Sequence, residues 1–285
     1  MDALIGAPVY TLADYEGMGH APAVLRRKGL VGALHVKDLG DVGLPPLRKD
    51  VVEGRVKNLS HFKECTSRIY DRTRTLQAER LVVVGGECSE TVGTMAGAAE
   101  AFGGKAGMLW MDAHGDFNTP QTSPSGYIGG MCLAMACGRA PGLGIELGKN
   151  APPIAEERLV HVGSRALDEP EMESFGSSPA TMLAAPQVKK AGAESTAKNI
   201  VKHLERSSDW IVCHLDLDVI DPTLFPSVNY PAPGGLDLED VAVIIEGVVA
   251  TGKLRVLEVV AYNESKDRDG SGAKTVVDLV RKVLR

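Results

Sequence analysis

Short apolar runs alternate with longer amphipathic stretches along the whole chain. Eight runs read as strands: Ala3–Val9, Val31–Val36, Arg80–Val84, Gly107–Asp112, Arg158–Val162, Thr181–Pro186, Trp210–Asp216 and Leu254–Tyr262. Several of them, such as Leu81 to Gly86 and Leu254 to Tyr262, show no apolar–polar alternation. A strand with one wet face alternates, whereas an unbroken apolar run suits a strand covered on both faces. The pattern therefore predicts a parallel sheet between helices.

The intervening segments carry helical spacing. Phe62, Cys65, Ile69 and Leu76 share one face, as do Ala197, Ile200, Val201 and Leu204. Val241, Ile244, Ile245, Val248 and Val249 form a third stripe, closed by Gly252. Strands alternating with helices predict one α/β domain over residues 1–285. The Pro- and Gly-rich stretch Gly138–Pro153 reads as a long loop between two strands of that sheet.

Composition narrows the class. A chain of 285 residues with 44% hydrophobic and 24% charged content is globular. The net charge of −6 and the lack of a basic run argue against a nucleic-acid partner. No uncharged apolar stretch approaches the ~18 residues that span a bilayer, and the first residues lack the basic and apolar blocks of a signal peptide. No membrane partner is expected. Five scattered cysteines suit a reducing, cytoplasmic setting better than a disulfide framework.

Ligands of an open parallel sheet bind beyond the carboxyl ends of its strands. Three predicted strand ends carry polar clusters. In the first, an apolar strand runs into Asp112-Ala113-His114-Gly115-Asp116. If the chain stays extended, period-two spacing sends Asp112, His114 and Asp116 to one side, where they can grip a divalent cation. A polar loop with a helix cap is the plainer alternative. The second is Asp216-Leu217-Asp218, followed by the turn signal Asp221-Pro222; alone it reads equally well as capping. The third is Glu258 in an apolar strand, where a carboxylate costs on the order of several kcal/mol unless a charge meets it. It is otherwise an edge residue.

Together, Asp112, Asp116, Asp216, Asp218 and His114 supply four carboxylates and one imidazole. Such an oxygen-rich set suits Mn²⁺ better than structural zinc. Four negative charges match two divalent ions, which at about 3.5–4 Å apart can share a water and ionise it. His20, His35, His61, His161 and His203 lie outside the clusters and read as surface or packing residues. His214 alternates toward the side of Asp216, where it can support the ligands from behind.

These residues resemble the arginase/agmatinase (ureohydrolase) family. Its members carry Asp-Ala-His-x-Asp and then Asp-x-Asp-x-x-Asp-Pro at sheet ends, as Asp112 to Asp116 and Asp216 to Pro222 do here. The likeness runs from about Val82 to Glu258 and continues weakly at both ends. It implies an arginase-like three-layer α/β/α fold around a mostly parallel eight-stranded sheet, a binuclear Mn²⁺ site and a homo-oligomer, trimeric or hexameric. By that resemblance Asp112 and Asp216 bridge the ions, Asp116 completes one and His114 with Asp218 the other. Asp116 would also accept a hydrogen bond from the attacking hydroxide, and Glu258 would face the guanidinium. Asn118 and Ser125 match the residues that hold a substrate carboxylate, and Asp168 one that holds its amino group. Without the resemblance, Asn118 and Ser125 read as turn residues. Together these positions favour a guanidino amino acid over its decarboxylated form.

The chain departs from the family in four places, one being Arg165-Ala166-Leu167-Asp168, which keeps the second Asp of the family's Arg-Asp-x-Asp and loses the first. Where the family has a metal-binding histidine in Gly-Gly-Asp-His-Ser, this sequence has Gly85-Gly86-Glu87-Cys88-Ser89. A thiol is a poor ligand for Mn²⁺, so the ion on that side is expected to be weakly held; Cys88 also reads as a small core residue behind the ligands. Tyr127 replaces an Asn. Gly129 stands where a proton-shuttling histidine is usual, and loss of a general acid costs on the order of 10²–10⁴ in rate. Both losses disfavour arginine itself. The stretch from Thr119 to Met131 resembles the branch that hydrolyses Nω-hydroxy-L-arginine to ornithine and hydroxyurea. Mn-dependent hydrolysis of that substrate is the expected activity. The alternatives are an arginase, agmatinase or formimidoylglutamase-like enzyme, and a metal-poor, non-catalytic binding or regulatory protein of the same fold.

Overall fold

A computed structural model describes residues 1–47, 49–143 and 153–285. Among them form β1 (Ala3–Ala7), β2 (Lys37–Asp41), β3 (Val52–Glu53), β4 (Val56–Lys57), β5 (Leu81–Gly85), β6 (Ala106–Met111), β7 (Leu159–Val162), β8 (Thr181–Leu183), β9 (Trp210–Asp216) and β10 (Leu254–Val260). β3 and β4 make a small antiparallel pair. The other eight form one sheet in the order β2-β1-β5-β10-β9-β6-β7-β8, parallel throughout.

The unbroken apolar runs have the predicted cause. Successive residues of the inner strands enter different cores. Leu4, Val82, Leu109 and Leu257 pack into one cluster with Ile200 and Leu204 of the helix Ala193–Ser207, Ile244 and Val248 of Leu238–Val249, and Val276 and Val280 of Ser271–Val283. Their neighbours Ile5, Val83, Met108 and Val256 pack into the other, with Phe62 and Ile69 of the helix Leu59–Thr73 and Val92 and Met95 of Glu90–Phe102. The result is a three-layer helix–sheet–helix sandwich. Each fully buried Leu or Ile on these faces contributes roughly 1.5–3 kcal/mol of transfer free energy.

The expected strand Val31–Val36 is corrected. Leu30–Leu34 is a short helix; Leu30 is buried, and Ala33 and Leu34 pack against the same core. That is i, i+3, i+4 spacing, which belongs to a helix. The chain then turns through His35 in the left-handed region (φ 53°) and enters β2, whose residues are exposed or half-buried. β2 is an edge strand, held by backbone pairing to β1, so apolarity does not mark it. Smaller differences lie at element ends. β8 stops at Leu183 because Pro186 opens the helix Ala185–Ala191, and Leu76 packs just beyond the helix that ends at Thr73. Of the Gly138–Pro153 loop, Pro141–Leu143 forms a 3-10 turn and residues 144–152 lie outside the described residues. Among the described residues no helix is long and apolar enough to cross a membrane.

The four strands at the middle of the sheet, β5, β10, β9 and β6, are consecutive neighbours. Their carboxyl ends lie side by side and carry the polar clusters. The loop after β5 passes so close to the loop after β1 that a Cβ on Gly86 would lie 1.9 Å from the Val9 carbonyl oxygen. Gly86 donates its N–H to the Ala7 carbonyl and accepts from Ala261 N. That crossing sets Glu87 and Cys88 over the middle of the sheet.

Candidate active site and metal centre

Asp112 follows the last residue of β6. Its Oδ2 accepts from Trp110 Nε1 at 3.1 Å and its Oδ1 from the His114 backbone at 2.7 Å. The chain from Asp112 to Asp116 is not extended, as the period-two reading assumed. Asp116 takes a left-handed backbone (φ 48°), and this kink brings its carboxylate back to the cluster. Such a backbone in a non-glycine residue costs on the order of 1–3 kcal/mol and persists only where surrounding contacts hold it. Here the Asp116 carbonyl accepts from Ala134 N, and Asp116 Oδ2 accepts from Cys132 Sγ at 3.3 Å.

Asp216 ends β9 and caps the 3-10 turn Leu217–Val219, accepting from Asp218 N at 2.7 Å. The turn places Asp218 beside Asp112, where Asp218 Oδ1 accepts from Ala113 N at 3.1 Å. His114 Nδ1 lies 3.0 Å from Asp218 Oδ2 and 3.4 Å from Asp112 Oδ1. On the other side, Cys88 Sγ donates to Asp216 Oδ2 at 2.9 Å. The potential ligand atoms of Asp112, His114 and Asp218 lie within 4.8 Å of one another, as do those of Cys88, Asp112 and Asp116. Asp112 belongs to both groups.

These four carboxylates are 1–7% exposed. Burial, and then the Asp218 charge, pushes Asp112 up to about 6. Burial and neighbouring carboxylates hold Asp116 and Asp216 well above the usual range. Asp218 goes the other way: burial opposes ionisation, but His114 outweighs it and lowers the carboxyl. For His114, burial works against the charge, yet its hydrogen bonds to Asp112 and Asp218 push it up to about 12. One imidazole thus balances four desolvated carboxylates, an arrangement that calls for further positive charge. Oxygen donors with a single nitrogen fit a hard divalent cation.

The cluster forms the base of a cavity of about 290 Å³. Asn118, Ser125 and Asp168 also line it. Asn118 Nδ2 donates to Asp168 Oδ2 at 3.1 Å, so these two form one polar unit. Ser125 stands exposed at the rim, where its Oγ accepts from Tyr127 N at 3.2 Å.

Glu258 is not brought to this cavity, which corrects the expectation that it faces a guanidinium. It is fully buried, with Oε2 bound to His214 Nδ1 at 2.6 Å and to Thr91 Oγ1. The reason is register. Glu258 pairs with His214, whereas the residue level with Asp216 is Val260. Burial pushes Glu258 up to about 8 and His214 down to about 3, each toward its neutral form, and the hydrogen-bonded pair lies behind the site. His214 stacks on Trp110 with ring centroids 3.6 Å apart, and Trp110 in turn holds Asp112. His161 is likewise more than packing: its Nε2 donates to the His114 carbonyl at 2.7 Å, and burial lowers it to about 4.

The sequence reading did not single out Glu87, Glu171, Asn229, Tyr230 or Ala261, all of which line the cavity. Glu171 is identifiable only in retrospect, by its place three residues after Asp168; its carboxylate accepts from Asp168 N and Phe117 N, each at 3.0 Å. Glu87 carried a signal, an acid in the turn that leaves an apolar strand. Ala261 reaches the cavity through a left-handed backbone (φ 68°), which no local pattern announces.

A model of the arginase family matches residues 2–285. The chain belongs to the arginase family. The arginase of Bacillus subtilis (strain 168) is 30% identical over 291 residues, covering 99% of this chain and 97% of that protein. The structure of Bacillus caldovelox arginase superposes with a TM-score of 0.92 at 27% identity, covering 99% of this chain and 97% of the other. The Entamoeba histolytica arginase structure, in complex with L-ornithine, gives 0.89 at 25% identity, covering 99% and 97%. The protein is thus an arginase-family amidinohydrolase, an enzyme class that depends on metal.

Proposed function

We propose that this arginase-family enzyme hydrolyses the C–N bond of a hydroxylated guanidino amino acid, Nω-hydroxy-L-arginine, to ornithine and hydroxyurea. One observation carries the reading: a complete carboxylate–imidazole cluster at the base of the cavity stands beside two losses, a thiol at Cys88 and no side chain at Gly129. The cluster supports amidine hydrolysis; the losses favour a substrate easier than arginine. An N-hydroxyguanidine is far less basic than a guanidine. Its neutral, electrophilic form is accessible at ordinary pH.

Asp112, His114, Asp216 and Asp218 would hold one Mn²⁺, and Cys88, Asp112, Asp116 and Asp216 a second, weaker one. Bound there, the ions would lower the pKa of water and polarise the amidino group. Asp116 takes the proton of the attacking water and returns it to the leaving nitrogen. Asn118 and Asp168 bind the α-carboxylate and α-amino group of the substrate, with Ser125 closing the rim, which holds the amidino carbon near the cluster and lowers the entropic cost of attack. An amino-acid ligand is consistent with the ornithine bound in the Entamoeba histolytica enzyme. Five free, buried cysteines favour a cytoplasmic setting. The family resemblance favours a homo-oligomer.

The test is a comparison of substrates. Mn²⁺-loaded protein is incubated with arginine, Nω-hydroxyarginine, agmatine and formiminoglutamate, and the amine and urea-type products are measured. Hydroxyarginine is expected to exceed arginine in kcat/KM by on the order of 10², in line with the absent general acid at position 129. Arginine as the preferred substrate would overturn the reading.

A further inference from the structure

Tyr127 and Gly129 are a single structural unit. A Cβ placed on Gly129 would lie 2.4 Å from Tyr127 Cζ, 2.5 Å from Cε1 and 2.6 Å from Oη. The phenol therefore covers the Gly129 backbone, and no side chain fits at 129 while the ring stays there. The ring is held from its far end. Tyr127 Oη donates to Glu87 Oε2 at 2.8 Å, and Glu87 Oε1 accepts from Thr11 Oγ1 at 2.6 Å and Ser89 Oγ at 2.7 Å. Glu87 is only 3% exposed.

Tyr127 and Glu87 both line the cavity. Glu87 adjoins Cys88, which bonds to Asp216, so the Glu87 end of the pair lies beside the carboxylate cluster. Three neutral hydroxyls satisfy Glu87. Among the described residues no lysine or arginine lines the cavity. The Tyr127 proton is committed to Glu87, which leaves the lone pairs of Oη free to accept.

We propose that the Tyr127 hydroxyl, locked by Glu87 over Gly129, is the positioning group that accepts a hydrogen bond from the reacting end of the substrate and selects an N–OH there. The inference rests on the substrate reading above. It makes the loss at position 129 the condition for a new recognition group. A site that hydrogen-bonds a substrate hydroxyl discriminates strongly against the analogue lacking it, because the site's polar groups are then left unpaired.

The experiment measures Kd, KM and kcat of the Mn²⁺-loaded protein for hydroxyarginine and arginine in wild type, Tyr127→Phe, Glu87→Gln and Gly129→Ala, with thermal melts as folding controls. Tyr127→Phe should weaken hydroxyarginine binding by about 10–100-fold, the loss of one hydrogen bond in a buried site. Arginine binding should change by no more than a few fold. Gly129→Ala should show the same selective loss, because its methyl displaces the ring, and adding Tyr127→Phe to it should cost little more. Glu87→Gln should weaken hydroxyarginine in the same direction, and it carries the test if Tyr127→Phe does not fold. An unchanged hydroxyarginine-to-arginine affinity ratio in Tyr127→Phe, or in Glu87→Gln where only that variant folds, overturns the inference. If the wild type binds hydroxyarginine without hydrolysing any of the amino acids, the proposed reaction falls while the affinity ratio still decides the role of Tyr127. If it binds neither amino acid, both fall.

Discussion

The two sides of the carboxylate cluster share Asp112 but differ in what meets its charge. On one side His114 lies between Asp112 and Asp218, an imidazole within reach of both carboxylates. On the other, Cys88 faces Asp216 and Asp116. Burial, then Cys132 and the nearby carboxylates, pushes the Cys88 thiol well above its usual range, so it offers neither positive charge nor a thiolate. An imidazole can give up its proton and become a ligand when a cation arrives. A thiol can ionise on a cation as well, but the thiolate it leaves is a softer ligand than Mn²⁺ prefers. Two halves built from the same carboxylates are therefore unequal as cation sites, and one residue accounts for the difference.

Three tests address that contrast, in falling order of effect. Asp216→Ala touches both halves, since Asp216 bonds to Cys88 and to the Asp218 backbone. Hydrolysis should fall by on the order of 10³ or more. Full activity in this variant would remove the cluster from the chemistry. The second test sets His114→Ala against Cys88→Ala. The first should lose on the order of 10²-fold in activity and most of the bound metal; the second should lose only a few fold. Equal losses would mean that the two sides hold their ions alike. The mildest test is Cys88→His, which places an imidazole on the weak side. Metal analysis after dialysis should find more Mn²⁺ retained per chain than in the wild type. If metal content is unchanged, Cys88 does not contact the ion.

The cluster was legible because its residues sit in short segments at the ends of strongly apolar strands. Asp112 and Asp216 need only β6 and β9 to be neighbours, which a buried parallel sheet makes natural. Their partners arrive by other means than the pleat. Asp116 depends on a left-handed kink and Asp218 on a 3-10 turn, so the spacing pointed to the right residues for an incomplete reason. Glu258 shows the opposite failure. Its apolar strand was recognised, but whether a carboxylate on it reaches the cavity or stops behind it depends on the register of β10 between β5 and β9, a pairing across more than forty positions of sequence. The edge strand β2 was missed because backbone pairing, not side-chain burial, holds it in place.

By itself the sequence determined the layered fold, the family, and the oxygen-rich set Asp112, His114, Asp116, Asp216 and Asp218, because hydrophobic periodicity and residue chemistry are local properties. It also displayed Cys88, Tyr127 and Gly129 as separate departures. Only the tertiary structure decided that Tyr127 lies over Gly129 and is held by Glu87, and that Glu258 belongs to the support behind the site. Those outcomes depend on contacts between segments far apart in the chain, and such contacts exist only once the sheet has set its register.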